Sequence, residues 1–284
     1  MDTTIQKIDL HMHTTMSDGT DTPEEILGKV REAGITIFAL ADHDATKGCT
    51  MVRKVLTSDD PTFITGAEFN CKDEGGRYHI LGYDYDPDAP SINDAVTAAH
   101  DLRMKKVHSR LDFIKDELGF ILPDNEIKKL LALNNPGKPH IANLLVKYGY
   151  AENKEQGIEY IDRKHFSSEY LHPRDVIAAI RDAGGIPVLA HPPYGSGNDL
   201  ILKDELAERV ERLMGFGLLG LEGYYSGYTN VLREMVLNLA EKHDLYVTAG
   251  SDYHGTNKLV ELGDTGPWGE TPAKGLERFL SKIL

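Results

Sequence analysis

Two histidines separated by one residue end an apolar segment near the N-terminus, Ile-Asp-Leu-His-Met-His, and are His11 and His13. Residues i and i+2 of a β-strand point to the same face. The two imidazoles are therefore expected to project together from the end of a strand. Imidazole is a common metal ligand, so the pair indicates a metal site. Two histidines at this spacing also occur often on surfaces and in cores, and the pair alone does not decide between these interpretations.

Further imidazole and carboxylate side chains recur on or just after later β-like segments. They are Asp18 in Ser-Asp-Gly-Thr, His43 in Ala-Asp-His-Asp, Glu68 in Gly-Ala-Glu, His79 in an apolar run, His191 in Ala-His-Pro, and Asp252 and His254 in Gly-Ser-Asp-Tyr-His. Such a series is improbable by chance, and it predicts a multinuclear metal centre. With no thiolate among them, these ligands suit Mn, Fe or Zn in a hydrolytic site better than a structural zinc cluster.

Short β-like segments alternate with helical ones over most of the chain, and this alternation would position the ligands. Strands are predicted at residues 7–10, 37–41, 62–68, 78–83, 186–190, 220–222 and 246–249, and helices at 23–33, 50–58, 173–183, 203–215 and 229–243. Repeated β–α units imply an α/β fold with a largely parallel sheet, either a barrel or a doubly wound layer. Barrels of this kind place active sites at the carboxyl ends of their strands.

Residues 91–166 interrupt this alternation, with helices predicted at 93–117, 125–133 and 140–148 and no evident strand. We interpret this stretch as a small helical subdomain inserted into an α/β domain formed by residues 1–90 and 167–284. An insertion at the loop face of a barrel can cover the active site, so it is expected to contribute to the substrate pocket. The alternative is a packing subdomain with no role in the chemistry.

The motifs HxH, SDG, DHD, GxE, AHP and GSDxH, taken in this order, resemble those of the PHP (polymerase and histidinol phosphatase) family of metal-dependent phosphoesterases. The resemblance covers nearly the whole chain and is greatest to stand-alone members with a helical insertion. It implies the PHP fold, a distorted (β/α)7 barrel. It also implies a centre of three divalent metal ions, often Mn.

The resemblance further implies three ligand sets: His11, His13 and Asp252 for one ion, His79 and His191 for a second, Asp18, His43 and His254 for a third, and Glu68 as the bridge between the first two. Asp252 and His254 are also the expected catalytic residues, as proton relays, although groups bound to a metal have limited basicity. Asp42 and Asp44 flank His43 and are expected to orient it.

Candidate substrate-binding residues come from the insertion and from one strand end. Lys138 and His140 stand at the start of a predicted helix, where a cation and the helix N-terminus favour phosphate. Related proteins commonly have Arg at the position of Lys138, and Lys acts only as a point charge. Tyr224 and Tyr225 follow a strand and are expected to stack on a base or pack on a sugar. The alternatives are a surface lysine with a helix-capping histidine, and tyrosines that only pack a loop.

Composition limits the possible partners. The 284-residue chain has a formal net charge of −14 at pH 7. A long nucleic acid is not expected, because proteins that bind one usually present a basic surface. A small phosphorylated substrate is expected, with metal ions supplying the local positive charge. No apolar run is long enough to span a membrane, and the N-terminus lacks secretory features. We therefore expect a cytoplasmic location.

The combined interpretation is a metal-dependent phosphoesterase that hydrolyses a small phosphorylated metabolite with a metal-activated hydroxide. The favoured substrate is a phosphorylated ribose or nucleotide: a cyclic phosphodiester such as a ribose 1,2-cyclic phosphate, a phosphomonoester, or both. The alternatives are a nucleoside 3′,5′-bisphosphate phosphatase and a 5′–3′ oligoribonucleotide exonuclease. A non-catalytic metal-binding module is less favoured, because every ligand position of the motifs is filled.

Overall fold

The computed structural model describes residues 7–164, 166, 169–195, 200–266 and 271–284. The chain divides into two compact units, one formed by Met1–Val96 with Leu171–Leu284 and the other by Thr97–Tyr170. The second unit overlaps the predicted insertion closely. Across the described residues, no helix is both long enough and apolar enough to cross a lipid bilayer. The cytoplasmic location stays a prediction.

Strands belong to the first unit, and helices occur in both. The strands are β1 (Ile8–Asp9), β2 (Ile37–Ala39), β3 (Thr62–Ile64), β4 (Gly66–Asp73), β5 (Gly76–Tyr83), β6 (Ile186–Leu189), β7 (Gly220–Tyr225) and β8 (Tyr246–Gly250). The helices are α1 (Pro23–Glu32), α2 (Lys47–Val55), α3 (Pro90–Asp116), α4 (Asp124–Leu131), α5 (Lys138–Lys147), α6 (Lys154–Asp162), α7 (Pro173–Asp182), α8 (Lys203–Phe216), α9 (Asn230–Lys242) and α10 (Lys274–Ile283). Helix α3 begins in the first unit and ends in the second.

Local sequence signals explain where the helices of the first unit begin and which face they bury. The Thr22 hydroxyl accepts a hydrogen bond from the Glu25 amide at 3.2 Å, and the Glu25 carboxylate accepts one from the Thr22 amide at 2.7 Å. This capping box, with Pro23 at the first position, starts α1. Helix α7 buries Ile177 and Ile180 completely in the main core. Burial of each such side chain contributes about 1.5–3 kcal/mol.

The strands close into a distorted barrel. They form two sheets, ordered β1-β2-β3 and β4-β5-β6-β7-β8. At one end the Leu10 amide donates to the Ala249 carbonyl at 2.9 Å, which joins the end of β1 to β8. At the other end the Asp44 amide donates to the Glu68 carbonyl at 2.8 Å, which joins the segment after β2 to β4. Because only Thr65 separates β3 from β4, these two act as one strand of a seven-stranded ring, and the predicted fold class is confirmed.

One strand of this ring runs against its neighbours. Strand β5 is antiparallel to both β4 and β6, whereas the other strand pairs are parallel. Only Glu74 and Gly75 connect β4 to β5, which is long enough for a hairpin and too short for a crossover helix. The β–α alternation did not predict this hairpin. The reversal explains why His79 lies in the first half of its strand, because that half of β5 points to the edge where the parallel strands end.

The second unit has its own small core, built from one side of each of its helices. Its fully buried side chains include Val107, Ile141, Leu145 and Ile161. Helix α6 was not predicted from the sequence. Its N-cap is Asn153, the residue before the helix, whose side chain accepts a hydrogen bond from the Gln156 amide at 2.9 Å.

Candidate metal centre

The carboxylate of Glu68 lies at the middle of the predicted ligands and is fully buried. Five imidazoles approach its two oxygens. Oε2 lies 3.3 Å from Nε2 of both His11 and His13 and 2.9 Å from Nδ1 of His43, and Oε1 lies 2.9 Å from Nδ1 of His79 and 3.3 Å from Nε2 of His191. Each oxygen thus faces its own group of ring nitrogens, which is the arrangement that a bridging carboxylate needs.

The remaining two carboxylates complete separate groups. Asp252 Oδ1 lies 3.5 Å from Nε2 of His11 and 3.3 Å from Nε2 of His13. Asp18 Oδ1 lies 3.3 Å from Nε2 of His254 and 3.7 Å from Nδ1 of His13. The structure therefore brings all nine predicted ligands together.

Three groups of ligand atoms, each within 4.8 Å of one another, could hold a metal ion: His11, His13 and Asp252; His43, Glu68 and His79; and His13, Asp18, His43 and His254. The first group has the membership that the family resemblance implies. His13 belongs to both the first and the third group, and His43 belongs to both the second and the third. His191 reaches the second group through its contact with Glu68. How the nine residues divide among individual ions stays a prediction.

A metal ion fits this cluster because its polar atoms lack other partners. Several buried ligand atoms make no hydrogen bond: Nε2 of His11 and of His13, both carboxylate oxygens of Glu68, Oδ1 of Asp18, Nδ1 of His79 and Nδ1 of His191. A buried polar atom left unsatisfied is destabilising by about 1–3 kcal/mol. So many of them in one place suit a bound cation, and imidazole with carboxylate is a donor set that divalent ions accept.

Hydrogen bonds fix which ring nitrogen two of the histidines present. Nδ1 of His11 lies 2.9 Å from Oε1 of Glu222, and Nδ1 of His254 lies 2.9 Å from the carbonyl oxygen of Asp252. A carbonyl oxygen can only accept, and an ionised carboxylate likewise, so both Nδ1 atoms carry the proton. Nε2 of each ring therefore faces the carboxylates of the centre, and its lone pair is available to a metal once that nitrogen carries no proton.

Charges within the cluster keep its acids ionised. Burial alone would raise the pKa of Glu68, but the neighbouring imidazoles hold it well below its usual range. Burial likewise acts against protonation of His13, yet the neighbouring carboxylates of Asp252 and Glu68 raise its pKa to about 10. Protons on the histidines thus balance the acids, and a metal ion that binds here must displace them.

Two of the predicted ligands have an unusual backbone conformation. His191 has φ 28° and Asp252 has φ 58°, in the left-handed region that residues other than glycine rarely adopt. Neighbouring groups hold both: the His191 amide donates to Oε2 of Glu222 at 2.8 Å, and the Asp252 amide donates to the His11 carbonyl at 2.7 Å. Backbone strain of this kind is concentrated at functional sites.

The glycine of the Gly-Ser-Asp-Tyr-His motif is required by close packing. A Cβ at Gly250 would lie 2.2 Å from Cβ of His11 and 2.5 Å from Oε1 of Glu222. We expect Gly250→Ala to displace His11, to lower the bound metal and to destabilise the fold by about 1–3 kcal/mol. Thermal unfolding and elemental analysis measure both effects. The control is Gly28→Ala in α1, where a Cβ meets nothing within 4 Å; equal behaviour of the two variants would contradict this explanation.

Of the two acids that were expected to orient His43, Asp42 contacts other groups and Asp44 acts through an intermediate residue. The side chain of Asp42 accepts hydrogen bonds from the Thr14 amide at 2.8 Å and from the Ser17 hydroxyl at 2.7 Å. Asp42 therefore orients the turn that carries Asp18, and the expectation that it orients His43 is corrected. Asp44 acts through Asn70, whose amide nitrogen lies 3.0 Å from Oδ2 of Asp44 and 3.4 Å from Nδ1 of His43.

Of the two tyrosines predicted to bind substrate, one lies in the core. Tyr224 is 4% exposed, packs in the main hydrophobic core, and its hydroxyl accepts a hydrogen bond from the Ala273 amide at 3.1 Å. The prediction for Tyr224 is therefore corrected. The register of β7 shifts between Glu222 and Tyr224, so Tyr224 does not share the face of Glu222, and Tyr225 lies at the centre instead. Tyr225 is partly exposed, and its hydroxyl donates to Oδ2 of Asp252 at 3.0 Å.

The candidates of the insertion lie in the second unit, in the first turn of α5. Nζ of Lys138 lies 2.8 Å from both carboxylate oxygens of Asp162, and Nδ1 of His140 accepts a hydrogen bond from the Gly137 amide at 3.1 Å. An ion pair and a helix cap account for these contacts. The role of Lys138 and His140 in substrate binding stays a prediction.

Sequence reasoning missed two residues at the centre, Glu222 and Lys258. Glu222 is fully buried and contacts two ligands. An acid within the apolar run Leu-Leu-Gly-Leu-Glu was the available signal, of the same kind that pointed to Glu68. Lys258 contacts Asp252 and Tyr225. It lies in a loop, where residue spacing does not predict which side chains come together.

A further group of possible ligands, Asp73, Glu74 and His172, lies apart from the centre. Nε of Arg212 lies 2.7 Å from Oδ2 of Asp73, and the same guanidinium contacts the carboxylate of Glu74. Because Arg212 already supplies the positive charge, this group is explained as an ion-pair cluster.

Comparison with known proteins agrees with this geometry. The family model of the PHP domain matches residues 9–217. A 5′–3′ exoribonuclease of Haemophilus influenzae is 29% identical over 263 residues, covering 91% of this chain and 93% of the relative. A phosphoribosyl 1,2-cyclic phosphate 1,2-diphosphodiesterase of Eggerthella lenta is also 29% identical over 263 residues, covering 87% and 94%. A solved structure from Bifidobacterium adolescentis, provisionally described as a metal-dependent phosphoesterase, superposes with a TM-score of 0.82 at 28% identity, covering 98% of this chain and 97% of that one.

Proposed function

This chain belongs to the PHP domain family and is a metal-dependent phosphoesterase, and from that premise we propose that it hydrolyses a small phosphorylated ribose or nucleotide. The observation that carries the proposal is the buried Glu68 carboxylate, with separate groups of imidazoles at its two oxygens. This arrangement suits two neighbouring cations that share one acid, as two-metal phosphoesterase sites require.

We propose that the centre holds three divalent ions, Mn in the first place, with Fe and Zn as alternatives. The support is the three groups of ligand atoms and the absence of thiolates from them. When bound, such ions lower the pKa of water to produce a nucleophile and neutralise phosphoryl oxygens. The nine side chains would hold the ions, and Glu68 would be shared by the first two.

Asp252 and His254 remain the proposed catalytic residues, because both belong to the groups of side chains that could hold the metal ions. Burial would raise the pKa of Asp252, but the neighbouring histidines hold it well below its usual range. Asp252 therefore serves better as a ligand than as a base. His254 donates its Nδ1 proton to the Asp252 carbonyl and presents Nε2 to Asp18. Tyr225 is the proposed substrate-contacting tyrosine, and Lys138 and His140 remain proposed phosphate contacts from the insertion.

The favoured substrate is a cyclic phosphodiester of ribose, a phosphomonoester, or both. The relative from Eggerthella lenta is named for a ribose cyclic phosphate, and the net charge of −14 disfavours a long polyanion. A 5′–3′ oligoribonucleotide exonuclease is the second candidate, since the exoribonuclease of Haemophilus influenzae is equally similar. A nucleoside 3′,5′-bisphosphate remains an alternative substrate.

A panel of four esters tests the proposal on Mn-loaded protein: a ribose 1,2-cyclic phosphate, a ribose phosphomonoester, a nucleoside 3′,5′-bisphosphate and a 5′-phosphorylated oligoribonucleotide. Phosphorus NMR should be the readout, because opening a cyclic diester releases no inorganic phosphate. We expect the highest kcat/KM on one of the first two. A ladder of mononucleotides as the dominant product would favour the exonuclease. Folded, metal-loaded protein that changes none of the four would refute the proposal.

A further inference from the structure

A lysine stands beside the centre with part of its side chain exposed. The ammonium of Lys258 contacts Oδ2 of Asp252 and lies 3.0 Å from the hydroxyl oxygen of Tyr225. The side chain of Lys258 is 35% exposed, whereas that of Asp252 is 10% exposed. One carboxylate thus separates this cation from His11 and His13, because Oδ1 of Asp252 faces their Nε2 atoms.

The loop that carries Lys258 is held in place independently of that ion pair. The Thr256 amide donates to the hydroxyl of Thr20 at 3.0 Å, and the side-chain amide of Asn257 donates to the Asp18 carbonyl at 2.8 Å. Both partners belong to the turn that carries the ligand Asp18. The position of Lys258 is therefore tied to the metal centre through backbone groups as well as through Asp252.

An ammonium has three N–H donors, and the contacts with Asp252 and Tyr225 use two of them. The exposed fraction of the side chain leaves the third donor room for an acceptor from solution. Metal ions at the ligand groups would add positive charge beside this ammonium, which Asp252 alone offsets only in part. An anionic phosphoryl group would offset more of it and would bring an acceptor for the third donor.

We propose that Lys258 is a substrate-contacting residue whose ammonium donates a hydrogen bond to an oxygen of the bound phosphoryl group. This inference rests on the proposed phosphoesterase function and adds a residue to it. Lysine binds phosphate as a point charge without a fixed orientation, so Lys258 can follow the phosphoryl oxygens from substrate to product. Tyr225 keeps the ammonium in place, since its hydroxyl donates to Asp252 and accepts from Lys258.

The competing explanation is that Lys258 only holds Asp252 in position for the metal. In that case its loss would lower metal content, and phosphate binding would fall only as far as metal is lost. A substrate contact predicts the opposite result, namely full metal content with weakened phosphate binding. The two explanations therefore differ in a measurement that needs no turnover.

The test compares Lys258→Met, Lys258→Arg and the control Lys242→Met, all loaded with Mn. Lys242 is 62% exposed in α9 and pairs with Glu211 at 3.6 Å, and Glu211 belongs to none of the groups of possible ligands that the described residues form. Elemental analysis gives the metal content, and calorimetry gives the affinity for inorganic phosphate. For Lys258→Met we expect unchanged metal content, about tenfold weaker phosphate binding and a similar fall in kcat/KM. A tenfold effect is at the low end for the loss of a hydrogen bond from a charged group, because water reaches this partly exposed side chain. Lys258→Arg should retain most of the affinity.

Phosphate affinity equal to that of the unaltered protein in Lys258→Met would overturn the inference, and so would a loss of affinity that only parallels a loss of metal. Failure of the proposed function has a separate signature. In that case the unaltered protein hydrolyses no ester of the panel, while the calorimetric comparison still decides whether Lys258 contacts phosphate.

Discussion

Replacement of Glu68 by glutamine is expected to lower kcat/KM by about 1,000-fold or more while the protein stays folded. Glutamine preserves the shape of the side chain and removes its charge. A neutral amide offers one oxygen in place of two, so it cannot bridge two cations. If the paired ions contribute about 4 kcal/mol to the transition state, the loss of their common ligand corresponds to this factor.

The structural reason lies in the number of imidazoles that depend on this one acid. Five histidines approach its two oxygens, and the carboxylate is fully buried. Removal of a buried acid from such a cluster leaves positive charge without compensation, whether protons or metal ions carry it. We therefore expect a lower metal content as well as a lower rate. Glu68→Ala should add a loss of thermal stability, since it also creates a cavity.

Elemental analysis, thermal unfolding and kcat/KM on the preferred ester measure these effects. Glu241→Gln is a suitable control, because that side chain is 70% exposed and pairs with Lys274 at 3.5 Å outside the centre. A Glu68→Gln protein that retained full metal and activity would show that this carboxylate does not bridge the ions.

The sequence predicts most of the barrel because its signals are local. Strand ends, helix caps and ligand motifs are each encoded within a few residues, as in the Thr22–Glu25 capping box. The reversal of β5 escaped prediction, because the β–α alternation outweighed a short Glu-Gly-Gly turn that favours a hairpin. Tyr224 escaped because the face that a strand residue presents depends on the barrel, which a run of adjacent tyrosines does not reveal.

The nine candidate ligands, which the structure brings together, could be singled out for the same local reason, and the groups that contact them could not. The contact between His11 and Glu222 joins residues 211 positions apart. Their pairing depends on the closure of the barrel, which brings β1 beside β8, the neighbour of β7. Lys258 depends likewise on a loop that is tied to the Asp18 turn. The spacing of residues along the chain does not predict such contacts. The apolar run before Glu222 was the available signal for that residue.

Glu222 is the supporting residue with the largest expected effect. Its Oε1 accepts the Nδ1 proton of His11 at 2.9 Å, and its Oε2 accepts the His191 amide proton at 2.8 Å. It therefore fixes the ring of one ligand and the left-handed backbone of another. Glutamine in its place could accept only one of these protons and would turn its own NH₂ group toward the other donor. We expect Glu222→Gln to weaken metal binding by about 10- to 100-fold, as is usual for groups that orient ligands.

Excess metal separates this defect from that of Glu68. Because Glu222 belongs to none of the groups of possible ligands among the described residues, saturating Mn should restore most of the activity of Glu222→Gln. It should restore little in Glu68→Gln, which lacks a ligand. Titration of metal-free protein with Mn, followed both by calorimetry and by kcat/KM, measures the affinity and the rate separately. Unchanged Mn affinity in Glu222→Gln would contradict the role of Glu222 in orienting His11 and His191. A rate that stayed low at saturating Mn would instead indicate that this carboxylate acts on the reaction directly.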